Sequence, residues 1–305
     1  MAPKFRKSMK SEPLASEVPL YPGLSALAER YDAFIIDLWG VMHDGLKAYP
    51  AAVEALRGLK QAGKRSVILS NAPRRAAVIA DRNAEIGIPA DLPDHLLSSG
   101  EDAWQHLKSR PDAWYQALGR RCFHLGPARD YGMREGLDLD FVDSLAEADF
   151  ILATGILEDH DTVETYRTFL DEGLARQLPM ICANPDLIVM RGDAMEICAG
   201  ALAQDYEQKG GNVRWHGKPH PEVYRSCFEL LKGIEPARIA AIGDSLRTDV
   251  AGAQAAGISS IFVAGGIHGE ELRVEEDGKM DNSAYAAFMA AAEWTPTAAL
   301  PFMRW

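Results

Sequence analysis

The feature that most constrains this chain is a set of short, continuously apolar runs, each ending close to where a helical pattern begins. Residues 33–38 read AFIIDL, 65–70 RSVILS, 238–242 RIAAI and 258–263 ISSIFV. Runs of this length without strict alternation fit strands buried on both faces, as in a parallel sheet covered by helices. A helical pattern follows at 50–62, opened by Pro50 and closed by Gly63. Two more lie at 73–86, stopped by Gly87, and at 247–256, stopped by Gly257.

The middle of the chain behaves differently. Ser98, Ser99 and Gly100 mark a break, and new strand candidates follow at 122–125, 150–153 and 180–183. Helical stretches such as 162–176 separate them. This block is long enough to form an α/β unit of its own. The predicted fold class is α/β: a Rossmann-like, doubly wound parallel sheet with a second α/β unit inserted into it. The expected division is a core of residues 1–98 and 207–305 and an inserted unit of 99–206. Residues 269–280 are charged and read as loop, and 282–291 as a last helix before a proline-containing C-terminal stretch.

Composition narrows the function classes. The net charge of -12 over 305 residues disfavours non-specific nucleic-acid binding, which needs a positive surface. It leaves phosphate esters open as ligands, because one local cation can outweigh a remote negative surface. The four cysteines, Cys122, Cys182, Cys198 and Cys227, form no CxxC pair, so they read as buried reduced thiols of a cytoplasmic protein. Lys4, Arg6, Lys7 and Lys10 give a basic N-terminal tail with no apolar stretch behind it, unlike a secretory signal. No apolar run reaches the roughly 18 residues of a membrane span.

Four positions carry chemistry. Asp37 ends the first apolar run, where the crevice of an open parallel sheet forms, and a carboxylate there can attack phosphorus to give an acyl phosphate. Ser70 and Asn71 end the second run ahead of a helix N-terminus, a place suited to phosphate by its free N–H groups and dipole. Lys218, in WHGKPHP, supplies a fixed ammonium that could neutralise the attacking carboxylate and phosphoryl oxygens. Asp244 follows RIAAIG directly, and Asp249 comes five residues later. Asp37 and Asp244 are the oxygen ligands that Mg2+ favours, with Asp249 binding through water or orienting Lys218. Taken singly, each residue also has a plainer role: turn capping by Asp37, helix capping by Ser70 or Asn71, a solvated Lys218, a helix-dipole acid at Asp249.

The order of the four decides between these readings. It resembles the haloacid dehalogenase superfamily of phosphohydrolases. The likeness is greatest to the class IIA branch, which holds nitrophenyl-phosphatase-like, nucleotide, sugar, phosphoglycolate and pyridoxal-phosphate phosphatases. DLWGVMHDG resembles its nucleophile motif, SNAP its Ser/Thr motif, HGKP its lysine motif and GDSLRTD its acidic motif. ANPDL at 183–187, followed by Arg191 and Gly192, is similar to a further hallmark of that branch. The likeness covers about residues 30–268. It implies that the inserted block is a cap and that Asp37, the backbone carbonyl of Trp39 and Asp244 ligate Mg2+. It also puts Asn184, Asp186 and Arg191 near the crevice mouth as substrate-binding candidates, although Asn and Asp also serve there as turn formers. Relatives in the branch are often dimers through the cap, so a homodimer through that unit is a further expectation.

One position departs from the family pattern. Such phosphatases usually carry a second Asp two residues after the nucleophile, as general acid and base, and here Trp39 stands there. The carbonyl contact survives this change and the proton transfer does not. The leading expectation is therefore slow, Mg2+-dependent hydrolysis of a small phosphorylated metabolite. A weakly active or inactive protein that binds such a metabolite is the alternative, and a phosphotransferase a third. His43, Asp44 or a residue of the cap are the candidates for a replacement acid, and His43 also fits a loop or packing role. His216 and His220 also lie within or beside the motifs, and Trp104, Trp114 and Trp215 read as packing residues.

Overall fold

The computed structural model describes residues 18–191 and 194–305. The basic N-terminal tail lies outside the described residues. In chain order the strands are β1 (Ala33–Ile36), β2 (Arg65–Ser70), β3 (His95–Ser98), β4 (Arg121–Leu125), β5 (Asp140–Val142), β6 (Phe150–Ala153) and β7 (Met180–Cys182). Then come β8 (Ile188–Arg191), β9 (Ala194–Ile197), β10 (Val213–Trp215), β11 (Ile239–Gly243), β12 (Ser259–Val263) and β13 (Ala298–Leu300). The first sheet has the order β13-β12-β11-β1-β2-β3, and each neighbouring pair is parallel. A second parallel sheet runs β10-β7-β6-β4-β5, and β8 and β9 form an antiparallel hairpin.

The winding places the crevice. From β1 the chain steps outward through β2 and β3. On its return at β11 it steps the other way, through β12 and β13. The order reverses between β1 and β11, and the carboxyl ends of these two strands face the opening where open α/β sheets hold ligands. This is the doubly wound α/β sheet that the apolar runs predict.

Strand β1 shows why the runs are continuously apolar. Phe34 and Ile36 pack with Leu56, Leu59 and Ile68 on one face, while Ala33 and Ile35 pack with Val67, Leu69 and Tyr224 on the other. The first face is covered by the helix Pro50–Gln61, which has proline in its first turn and buries Ala52, Val53, Leu56 and Leu59 along one stripe. All four cysteines are buried free thiols. No helix among the described residues is long and apolar enough to cross a membrane.

One expectation changes. Val213–Trp215 lies beyond the expected boundary at 206/207, yet it pairs with β7 and so belongs to the second sheet. Three residues carry too little pattern to show which sheet they join. The break expected at Ser98–Gly100 is where the chain leaves the first sheet: Ser98 ends β3, and its Oγ accepts the Glu101 N–H at 2.9 Å, opening the helix Ser99–Ser109. The short strands β3, β5 and β13 had no clear signature.

Leu56 is fully buried beneath the first sheet. Leu56→Ala is expected to destabilise the protein by about 2–5 kcal/mol in urea unfolding, through lost burial and the cavity left behind. A loss under about 1 kcal/mol would contradict this packing.

Candidate active site

Each strand end at the reversal delivers one polar side chain. Asp37 follows β1 and stays tied to the ladder, its N–H donating to the Ile242 carbonyl at 2.9 Å. Asp244 follows β11, where its carboxylate is walled in by glycine backbone. A Cβ on Gly40, whose φ is +76°, would sit 1.9 Å from that carboxylate, and one on Gly266 would sit 2.2 Å away. The Ile267 N–H donates to Asp244 Oδ2 at 2.9 Å. Asp249 is carried by a wide π-type turn, Leu246–Val250, in which the Asp249 and Val250 N–H groups both reach the Ser245 carbonyl, at 3.0 and 3.2 Å.

Lys218 closes the site from the other side. Its side chain is buried, and its ammonium donates to Asp37 Oδ1 and, at 2.7 Å, to Asp249 Oδ1. Burial works against its charge, but Asp249 and Asp37 more than offset this and hold its pKa above the ordinary lysine value. The backbone of Lys218 is clamped by Asn71, which accepts its N–H at 2.8 Å and donates to its carbonyl at 3.0 Å. The second N–H of the Asn71 amide goes to Asp186 Oδ1 at 2.8 Å. Asn71 therefore spends both amide hydrogens on positioning Lys218 and the loop after β7.

The charges do not balance. Asp37, Asp244 and Asp249 bring ligand oxygens within 4.8 Å of one another, with the single ammonium of Lys218 among them. Burial pushes the Asp37 carboxyl up to about 7, Asp249 adding to the rise while Lys218 opposes it. Burial likewise pushes Asp244 up to about 8, helped by the charges of Asp37 and Asp249. A surplus of buried carboxylate oxygens is the donor set that a hard divalent cation fits.

The remaining expected residues are spread around this centre. Ser70 is half-buried, and its Oγ accepts the Ala72 N–H at 3.2 Å, capping the turn after β2. Asn184 Oδ1 accepts the Asp186 N–H at 3.2 Å, a local turn that presents Asp186 to Asn71. Arg191 ends β8, and its side chain lies outside the described residues. Trp39 is 49% exposed, resting on Gly45, where a Cβ would sit 2.3 Å from the indole, and meeting His43 edge-on at 5.6 Å. His43 Nδ1 accepts the Gly45 N–H at 2.9 Å, and burial holds its pKa below the usual histidine value. Asp44 accepts the Leu46 and Lys47 N–H groups at 2.9 and 2.8 Å, which hold its carboxyl below the usual range. Two contributors were missed from sequence: the Gly266–Ile267 loop after β12 and the Asn71 clamp. The Gly265–Gly266 pair was the available signal for the first.

A family model for haloacid dehalogenase-like hydrolases matches residues 34–138, and a related one matches 215–285. Ribonucleotide monophosphatase NagD of Escherichia coli K12 is 27% identical over 237 residues, 76% of this chain and 87% of that protein. Chronophin of Rattus norvegicus is 28% identical over 249 residues, 76% of each. A haloacid dehalogenase-like hydrolase from Brucella suis 1330 superposes with a TM-score of 0.77 at 31% identity, covering 93% of this chain and 99% of that one. The chain belongs to the haloacid dehalogenase-like hydrolases, in their class IIA phosphatase branch.

Proposed function

We propose that this hydrolase cleaves a small phosphate monoester through an aspartyl phosphate at Asp37, with Mg2+ bound and with slow turnover. The observation that carries the reading is the Lys218 ammonium bridging Asp37 and Asp249 beside Asp244, at the one place where the sheet order reverses. Asp37, Asp244 and the Trp39 backbone carbonyl would hold Mg2+, which supplies positive charge against the phosphate dianion and the surplus carboxylates.

The chain's own groups divide the remaining work. One carboxylate oxygen of Asp37 attacks phosphorus; a P–O bond forms as the ester P–O bond breaks, and the leaving group departs with the electron pair. Water then attacks the acyl phosphate, releasing phosphate and restoring the carboxylate. Lys218, fixed by Asp249 and Asn71, offers charge to the phosphoryl oxygens as negative charge builds there. Ser70 binds a phosphoryl oxygen. The second α/β sheet and its hairpin act as a cap that excludes water on closure, with Asn184, Asp186 and Arg191 as its substrate-binding residues. Two copies pair through this cap.

Slow turnover follows from what surrounds Trp39. An indole carries no titratable proton at neutral pH. The two nearby candidates for a replacement acid are engaged in their own turn: His43 through Nδ1 and Asp44 through both N–H contacts. The same features favour the second reading, a weakly active protein that mainly binds a phosphorylated metabolite.

Two experiments test the proposal. Chelation is expected to abolish activity and Mg2+ to restore it, with Asp244→Asn weakening both metal and phosphate binding; full activity in chelator would sink the metal assignment. The second is kcat/KM across phosphate esters of graded leaving-group pKa. A general acid contributes about 10²–10⁴-fold, so alkyl esters should fall behind aryl esters by a factor in that range. A flat dependence with chemistry rate-limiting would show that another group protonates the leaving oxygen.

A further inference from the structure

A second cluster of ligand-type side chains lies away from Asp37, where the two connections between the sheets cross. The helix Ser99–Ser109 carries Asp102 and His106 one turn apart, on one face. His216 follows β10 on the return connection, two residues before Lys218. Asp102 is fully buried and His216 is 2% exposed. One ligand atom from each of Asp102, His106 and His216 lies within 4.8 Å of the others. His216 Nδ1 is 2.6 Å from Asp102 Oδ2, and His106 Nδ1 is 3.6 Å from Asp102 Oδ1. Ligands of a tetrahedral zinc ion stand roughly 3.3 Å apart, so the three lie close to that spacing, and sharing one ion requires the His106 ring to turn from the Asp102 carbonyl that its Nδ1 meets at 2.8 Å.

We infer that Asp102, His106 and His216 form a binding site for a zinc-type transition-metal ion, separate from the Asp37 centre. Three observations support it. The first is charge: a fully buried carboxylate is costly without a cation, and the ion-pair partners of Asp102 among the described residues are the two imidazoles. The second is the group behind each ligand. Tyr115 Oη lies 2.5 Å from His216 Nε2, placed to accept its N–H once Nδ1 turns to a metal, and Ser226 Oγ donates to Asp102 Oδ1 at 2.6 Å. Metal-bound histidines and carboxylates carry such outer partners as a rule. The third is access: His106 and His216 line a cleft of about 270 Å³ through which an ion can reach them. The nearby cations Arg214 and Arg225 are each paired, with Asp112 and Glu222 at 3.5 Å. Two imidazoles and one carboxylate are ligands that suit zinc and its neighbours and not magnesium. A metal there would tie the outgoing and returning connections together and hold the backbone that leads to Lys218.

The test uses the tag-free, full-length protein, stripped with chelator and then titrated with Zn2+ in excess Mg2+ against a chromogenic competitor. The site predicts one Zn2+ per chain. His106→Gln, at the most exposed of the three ligands, should weaken uptake on the order of 100-fold, and Tyr115→Phe by roughly 10-fold, with circular dichroism unchanged. Asp37→Asn should leave uptake intact. Absence of stoichiometric uptake, uptake indifferent to His106→Gln, or uptake lost with Asp37→Asn would overturn the site; the first of these is what a purely hydrogen-bonded strut predicts.

Discussion

The ammonium of Lys218, buried between Asp37 and Asp249, is the interaction on which the rest of the site depends. A lysine taken out of water is costly unless it is paired, and a buried carboxylate is costly in the same way. Here each makes the other tolerable. The pairing is incomplete by design of the residue types: Asp244 joins the two acids, and a single lysine cannot neutralise three carboxylates. Burial raises the Asp37 and Asp244 pKa values, and the charges of the neighbouring acids add to the rise. The surplus of acid in the crevice suits it to further positive charge.

Topology brings these groups together with little help from local sequence. Asp37 and Asp244 are neighbours because β1 and β11 are, and those strands adjoin because the sheet winds in both directions from that point. Lys218 arrives from the second sheet, so the charge centre is assembled across both units. Asn71 holds that joint through its bonds to the Lys218 backbone and to Asp186. Gly40 and Gly266 set the remaining tolerance, since any side chain at either would displace Asp244.

Much of this was legible in the sequence because the chemistry sits at strand ends. Asp37, Ser70 and Asp244 could be placed from apolar runs that stop on a polar residue, and Lys218 from its position ahead of a helix. The boundary at β10 was not legible, because three residues of strand look alike whichever sheet they join. The task of Asn71 was hidden for a different reason: its partners lie 115 and 147 positions away, and an amide after a strand fits ligand binding as well as clamping. The Asp102–His216 contact spans 114 positions and depends on two connections crossing, which no local pattern records. Trp39 was visible as a departure, but its seat on Gly45 needed the folded loop.

The central claim is that Asp37 takes the phosphoryl group. The most direct measurement is acid quench within a single turnover on an aryl phosphate, followed by peptide mass spectrometry. The account predicts one phosphoryl group, on the peptide containing Asp37, absent from Asp37→Asn and persisting longer than in relatives that keep an acid at the position of Trp39. Hydrolysis continuing undiminished in Asp37→Asn, or a phosphoryl group on another residue, would contradict it.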